Sequence, residues 1–163
     1  MHPFFRPLTA LPRTRNLAAV LLASALCLPA AFGADSATLP PLGPDWKLQN
    51  PYRGNAAAAA VGKTIFDENC VRCHAADATG RGSVGANLQL VGRFCRRIAD
   101  DTLKQRCLAD ADDFFKRSVL DGKIRLAITY MPPWKDVLSQ EEIWAVRTYV
   151  ETLSQTSRDG DRH

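Results

Sequence analysis

The residues best suited to chemistry form the segment Cys70-Val71-Arg72-Cys73-His74, a C-x-x-C-H pattern. This is the spacing of covalent haem attachment. Two cysteines one helical turn apart can add their sulfurs to the vinyl groups on one edge of a porphyrin, and the adjacent histidine can coordinate the iron. The motif therefore predicts one covalently attached haem c, held by Cys70 and Cys73, with His74 as the first axial ligand.

Two other interpretations of the cysteines fit the sequence less well. A thioredoxin-like redox motif needs a strand before it, whereas this motif ends an alanine-rich helical segment. A four-cysteine zinc site needs a second closely spaced pair, and Cys95 and Cys107 lie too far apart in the chain for that.

The second axial ligand is predicted by elimination. Met131 is the single methionine outside the N-terminal segment, and the histidine at 163 ends a polar tail. Pro132 and Pro133 follow Met131 and stiffen its backbone. A thioether opposite an imidazole favours ferrous iron and raises the reduction potential. With both axial positions filled by His74 and Met131, electron transfer is favoured over catalysis.

The N-terminal segment 1–33 has the features of a signal peptide. Arg6, Arg13 and Arg15 precede an apolar run at 17–28, which is too short to span a bilayer. We expect cleavage after residue 33, export to the periplasm as a soluble protein, and no stable membrane insertion afterwards. The formal net charge of +4 includes those three arginines, so the rest of the chain is nearly neutral, which argues against nucleic-acid binding.

The full chain has 163 residues, and the part that follows the signal peptide is expected to contain one domain. We expect an extended proline-rich arm at 34–54, a helical domain at 55–154 and a polar tail at 155–163. Asn55 is a good N-cap for a first helix, and Ser139 with Glu142 forms a capping box before a last helix. Shorter helical segments are expected at about 96–106 and 110–120, and no run of strands is evident.

Taken together, these features resemble the class I cytochrome c family. In that family a glycine-bearing first helix runs into C-x-x-C-H, a glycine-rich loop passes the proximal histidine, and a Met-Pro loop supplies the distal ligand. The matching features here are Gly62 with Phe66, the loop 80–88, Met131-Pro132, and Trp144 with Tyr149. The resemblance implies an all-α fold of three to five helices around one haem, with the first and last helices crossing.

The loop departs from the family pattern at one position. Where the family usually has Gly-Pro-x-Leu, this chain has Gly85-Ala86-Asn87-Leu88. Ala86 keeps the carbonyl that, in the family, accepts the N–H of the proximal histidine, so the bond that orients His74 can be retained.

Three further segments resemble the PedF-type cytochromes associated with quinoprotein (PQQ-dependent) alcohol dehydrogenases. They are the sequence Asn-Pro-Tyr-Arg-Gly-Asn at 50–55, the insertion between Cys95 and Cys107, and Tyr-Met-Pro-Pro-Trp at 130–134. The resemblance implies such a dehydrogenase as electron donor, with an oxidase or another cytochrome as acceptor. Five basic residues could border the haem edge and steer an acidic partner, and for each of them an ordinary solvated surface charge is the alternative: Arg72, Arg81, Lys123, Arg125 and Lys135.

Cys95 and Cys107 are a disulfide candidate because they form an even pair in an exported chain. A straight helix between them would hold their Cα atoms about 18 Å apart, whereas a disulfide allows about 7 Å. A bridge therefore requires the chain to fold back near residues 100–101. A redox-sensing pair and two separate thiols remain alternatives.

Two functions compete with an electron carrier. A haem enzyme or gas sensor needs an open sixth coordination site and a distal acid or base, for which only Tyr130 or Arg125 would be available. The other alternative is an accessory subunit that the haem merely stabilises.

Overall fold

The computed structural model describes residues 39–160, with side chains through residue 155. The predicted signal peptide and the histidine at 163 lie outside the described residues. The helices are α1 (Ala56–Asn69), α2 (Val71–His74), α3 (Asp101–Asp121) and α4 (Gln140–Gly160), and the strands are β1 (Lys123–Arg125) and β2 (Ile128–Met131). Within residues 39–160, none of the helices has both the length and the hydropathy that a membrane span requires.

Helix α1 crosses α4, as the resemblance implied. The Asn55 side chain accepts the backbone N–H of Ala58 at 3.0 Å and begins α1. A Cβ atom built on Gly62 would lie 2.0 Å from the carbonyl oxygen of Ala145. Glycine at position 62 thus allows the two helix backbones to approach within a distance that any side chain would prevent.

Helix α4 supplies much of the hydrophobic core. Its capping box is confirmed: the Ser139 N–H donates to Glu142 at 2.7 Å, and the Glu142 N–H donates to the Ser139 hydroxyl at 3.2 Å. Phe66 of α1 and Tyr149 of α4 meet edge to face, with ring centroids 5.4 Å apart. The fold class is therefore the expected one, with the core between the first and last helices.

The middle of the chain differs from the prediction. One continuous helix, α3, replaces the two segments expected at about 96–106 and 110–120. It begins where the Asp100 carboxylate accepts the N–H of Leu103 at 2.7 Å. The chain folds back just before this cap, and Cys95, in a short 3-10 turn, forms a disulfide with Cys107 of α3. The disulfide prediction and its required reversal near residues 100–101 are both confirmed.

A two-stranded antiparallel hairpin follows α3, although the sequence showed no run of strands. In it, Ile124 pairs with Thr129 and Arg125 with Ile128. The hairpin leads from the end of α3 directly to Met131, the last residue of β2.

The N-terminal arm packs across α3 and α4 through buried polar groups. Asn50 donates its backbone N–H to Asp112 at 2.8 Å, and Asp112 also forms a fully buried ion pair with Arg147 at 3.0 Å. Asp112 falls near the start of the helical segment expected at about 110–120, but it lies in the middle of α3, where it pairs with arginine. Tyr52 is buried and donates its hydroxyl to Pro40 within the arm.

Candidate haem-binding site

The end of α1 and the short helix α2 position the attachment motif. The backbone N–H of Cys73 donates to the carbonyl of Cys70 at 3.1 Å, and the N–H of His74 donates to the same carbonyl at 2.9 Å. Ala75 then adopts a positive φ of 61° and ends α2. The two cysteines and the histidine therefore lie on one helical turn, the local geometry that the motif predicts.

These three residues and Met131 line the same cleft. It has a volume of about 380 Å³. Its lining comprises the attachment turn, the loop before Ala86 and the segment around Met131, namely Glu68, Asn69, Cys70, Arg72, Cys73, His74, Gly85, Tyr130, Met131, Pro132 and Trp134. Residues 60 positions apart in sequence thus meet at one concave surface.

A smaller cavity with an apolar lining extends from this cleft into the core. Cys70, His74, Met131 and Trp134 line both spaces. The inner wall is completed by residues of the 88–91 turn, α3 and α4, which are Leu88, Val91, Phe114, Phe115, Ser118, Val119, Leu138, Ile143 and Val146. A flat apolar macrocycle with one edge at the cleft mouth matches this lining.

The loop 80–88 holds His74 in orientation. Nδ1 of His74 lies 2.9 Å from the carbonyl oxygen of Ala86, so Nδ1 carries the proton and Nε2 is free to coordinate a metal. A Cβ atom on Gly85 would lie 2.7 Å from Nδ1 of His74 and 2.2 Å from the carbonyl oxygen of Cys73. Glycine is therefore needed at position 85, while alanine at position 86 supplies the carbonyl without a proline.

Met131 is held at the cleft by its neighbours in the chain. It is half-buried, and a Cβ atom on Gly122 would lie 2.3 Å from its carbonyl oxygen. Beyond the two prolines, the backbone N–H of Trp134 donates to Val119 of α3 at 2.9 Å. The end of α3 and its C-cap Gly122 therefore lie against the backbone that runs from Met131 to Trp134.

The donor set and the cleft fit a covalently bound haem. Two thiols not engaged in a disulfide, one imidazole and one thioether face a cavity with an otherwise largely apolar wall. The disulfide between Cys95 and Cys107 removes the second pair that a four-cysteine zinc site would require. Between residues 39 and 155, no cluster of three or more His, Cys, Asp or Glu residues is arranged to hold a metal ion.

Known proteins match the same part of the chain. Residues 57–150 match the family model described as "Cytochrome C oxidase, cbb3-type, subunit III". Cytochrome c550 of Pseudomonas aeruginosa is 34% identical over 123 residues, which are 73% of this chain and 74% of that protein. The chain belongs to the class I c-type cytochromes. A cytochrome of this family carries covalently attached haem c and is an electron-transfer protein, not an enzyme.

Two further proteins resemble this cytochrome. The chloroplastic cytochrome c6 of Chlamydomonas reinhardtii is 33% identical over 97 residues, which are 59% of this chain and 55% of that protein. The crystal structure of cytochrome CL from the marine methylotrophic bacterium Methylophaga aminisulfidivorans aligns with a TM-score of 0.44 and 16% identity, over 71% of each chain.

Charge at the cytochrome's cleft is confined to the mouth. Glu68 and Arg72 line the outer cleft, while charged residues are absent from the inner lining. Burial, with a smaller effect of the neighbouring Cys73, raises the pKa of the Cys70 thiol to about 11. A thiol with this pKa is protonated at neutral pH until its sulfur is alkylated.

Some residues of the site were not predicted from the sequence. Phe114, Phe115 and Val119 were recognised only as the apolar side of a helix, but they form the wall of the inner cavity. Their spacing along one helix face is equally typical of an ordinary core contact, so the sequence carries no signal that separates the two. Tyr52 lies in a separate buried cluster with Ala58 and Trp144 and does not line the cleft.

Proposed function

We propose that the protein is a periplasmic one-electron carrier in which Cys70 and Cys73 bind the haem through thioether bonds. His74 and Met131 would supply the two protein ligands of its iron. The observation that carries this proposal is that all four side chains line one cleft whose inner wall is apolar.

Each part of the chain has a distinct task in this proposal. Bound haem supplies an Fe(III)/Fe(II) couple that takes up or releases one electron. Ala86 keeps Nδ1 of His74 protonated and directs Nε2 into the cleft. The apolar inner wall excludes water, and a site of low polarity disfavours the additional positive charge of the ferric state. A bound Met131 adds to this preference for ferrous iron.

A PQQ-dependent alcohol dehydrogenase is the proposed donor, and an oxidase or another cytochrome of the respiratory chain is the proposed acceptor. The support is the resemblance of three segments to PedF-type cytochromes: 50–55, the insertion bounded by Cys95 and Cys107, and 130–134. The periplasmic location is supported by the signal-peptide features of 1–33 and by a disulfide, which persists in oxidising compartments.

The axial ligation is tested by visible spectra of protein matured in a host that exports it and attaches haem. We expect a c-type alpha band on reduction and, in the oxidised protein, the weak far-red charge-transfer band of methionine bound to iron. Met131→Ala should lose the far-red band and bind carbon monoxide in the ferrous state.

Leu138→Ala is the matched control, because Leu138 also lines the inner cavity but has no ligand atom. It should keep the far-red band and exclude carbon monoxide. If Met131→Ala has the same ligation spectrum as the wild type, Met131 is not the ligand. A high-spin spectrum of the wild type would favour the haem enzyme or gas sensor.

A further inference from the structure

The hairpin after α3 exposes large apolar side chains on both faces. Ile124 is 70% exposed, Leu126 87% and Ile128 61%, and none of the three lines the haem-binding cleft. We call these three residues, with Lys123 and Arg125, the hairpin surface. A protein rarely gathers so many exposed apolar side chains within one short ribbon unless that ribbon contacts another surface.

The tip of the hairpin has a backbone conformation that its residues disfavour. Leu126 and Ala127 have φ values of 51° and 63°, in the left-handed region that two-residue hairpin turns require. Glycine, asparagine and aspartate are the usual residues there, because a Cβ atom makes the conformation unfavourable by about 1 kcal/mol. The chain nevertheless places an apolar side chain at the exposed turn of the hairpin. Backbone strain of this kind is found at functional sites, and an exposed leucine at a strained turn favours a role in contacting another surface.

The hairpin itself carries charge of one sign. Lys123 and Arg125 are its charged residues, while Asp121 and the pair Lys135 and Asp136 lie in the segments that flank it. Lys123 lies over the ring of Phe114, with its Nζ atom 4.7 Å from the ring centroid, and so fixes the base of the hairpin to α3. A surface with an apolar centre and a basic rim is complementary to one that is apolar with an acidic rim.

The hairpin surface adjoins the haem-binding cleft. Tyr130 and Met131 belong to β2 and line the cleft mouth, together with Pro132. Arg72, from the attachment turn, adds a further positive charge at the mouth, where Glu68 is the acidic residue of the lining. A protein seated on the hairpin would therefore cover the edge of the cleft.

We propose that the hairpin surface docks a redox partner protein whose contact area is apolar at its centre and acidic at its rim. This rests on the proposed function, because an electron carrier must bring its cleft edge close to the partner. One electron passes from the reduced partner to the ferric cytochrome, or from the ferrous cytochrome to an oxidised partner, and no bond is made or broken.

The apolar part is tested with Leu126→Asn. Asparagine tolerates the left-handed region, so this variant removes the apolar side chain without adding strain. We expect the second-order rate constant for reduction by a PQQ-dependent alcohol dehydrogenase, itself reduced by its alcohol, to fall at least about fivefold. Leu48→Asn is the control, since Leu48 is 79% exposed and does not line the cleft; its rate constant should equal that of the wild type.

Reduction by ascorbate separates docking from damage to the site. A small reductant needs no protein contact area, so wild type, Leu126→Asn and Leu48→Asn should react with it at equal rates. Equal rates with ascorbate but a slower reaction of Leu126→Asn with the dehydrogenase support the proposal. Equal rates with the dehydrogenase overturn it.

Failure of the donor assignment is distinguishable from failure of the docking proposal. If the dehydrogenase does not reduce the wild type, the donor named under the proposed function is wrong. The docking surface is then tested by the rate at which respiratory membranes from the bacterium that produces this protein oxidise the ferrous cytochrome. Slower oxidation of Leu126→Asn supports the docking surface, and an unchanged rate overturns it.

The basic rim is tested with Arg125→Glu against Arg106→Glu, an equal change of charge at an exposed position of α3. Arg125→Glu should slow the reaction about tenfold at low ionic strength and flatten its salt dependence. A larger effect of Arg106→Glu would place the docking surface on α3 and overturn the proposal. A dimer, or binding to anionic lipid vesicles, that Leu126→Asn abolishes would likewise overturn it.

Discussion

Gly62 and Ala145 mark the closest approach of α1 and α4. A Cβ atom at position 62 would lie 2.0 Å from the carbonyl oxygen of Ala145 and 2.8 Å from the backbone nitrogen of Val146. Both contacts are to backbone atoms, which cannot rotate away as a side chain would. The crossing of the two helices therefore depends on the absence of one methyl group.

Gly62→Ala should destabilise the protein by at least about 2 kcal/mol, although alanine is the better helix former. Ala60→Gly, at an exposed position of the same helix, should cost about 1 kcal/mol from helix propensity alone. Denaturant unfolding of the haem-containing proteins measures both. If Gly62→Ala is at least as stable as the wild type, α1 and α4 can move apart without lowering the free energy of unfolding.

Arg147→Met should destabilise the protein by about 3–5 kcal/mol, because it leaves the carboxylate of Asp112 buried without one of its two ion-pair partners. Arg147 and Asp112 are both fully buried and lie 3.0 Å apart. Arg117→Met is the control: Arg117 pairs with Asp113 at 2.7 Å, but its side chain is 66% exposed. Arg117→Met should lower the free energy of unfolding by less than about 1 kcal/mol. If the two variants lower it by similar amounts, burial does not determine the contribution of these ion pairs.

The contribution of Tyr52 to stability should disappear at alkaline pH. Burial, with a smaller effect of Glu141, raises the pKa of Tyr52 above its ordinary value of 10.0. A group with a raised pKa in the folded state contributes fully below its unfolded pKa and loses that contribution as pH rises through the folded value. At pH ~8 the Tyr52 hydroxyl is protonated and donates to the carbonyl oxygen of Pro40. The free energy of unfolding of the wild type should therefore exceed that of Tyr52→Phe by about 1 kcal/mol at this pH.

That difference should shrink as the pH rises above 10.0, the ordinary pKa of tyrosine, measured by denaturant unfolding of both proteins. Burial also raises the pKa of Tyr149, but Tyr149 is present in both proteins and cancels from the comparison. A difference that stays constant over this range would contradict the prediction.

Gly122→Ala should weaken methionine ligation of the iron. Its added Cβ would meet the carbonyl oxygen of Met131 at 2.3 Å and displace the backbone that carries the proposed ligand. Gly82→Ala is the matched control, because Gly82 has a φ of 76°, close to the 67° of Gly122, and its added Cβ would have no atom within 4 Å. The far-red band of the oxidised protein should weaken in Gly122→Ala and persist in Gly82→Ala. Equal band intensities in the two variants would show that the Met131 backbone can shift without loss of ligation.

The parts of the fold that could be predicted from the sequence carry their signals locally. Asn55 and the Ser139–Glu142 box lie at the helix starts they cap. The spacing of Cys70, Cys73 and His74 is likewise set within one turn of helix. Local hydrogen bonds determine these features, so a short window of sequence is sufficient to recognise them.

The parts that were missed depend on distant residues or on an unusual turn. Asp112 is buried in the middle of α3, and its partners Arg53 and Arg147 lie 59 and 35 positions away, so no local pattern indicates that this carboxylate is paired. The hairpin was missed because Leu126 and Ala127 occupy a turn without the glycine or asparagine that normally identifies one.

The arm ties the beginning of the domain to its last helix. The backbone N–H of Leu42 donates to Glu141 across 99 positions, and that of Lys47 donates to Gln140 across 93. Neither bond can form until α4 has reached the compartment in which the protein folds, and the preceding chain lacks the α4 side of its core until then. Nearly the whole domain must therefore be present before the arm can be fastened.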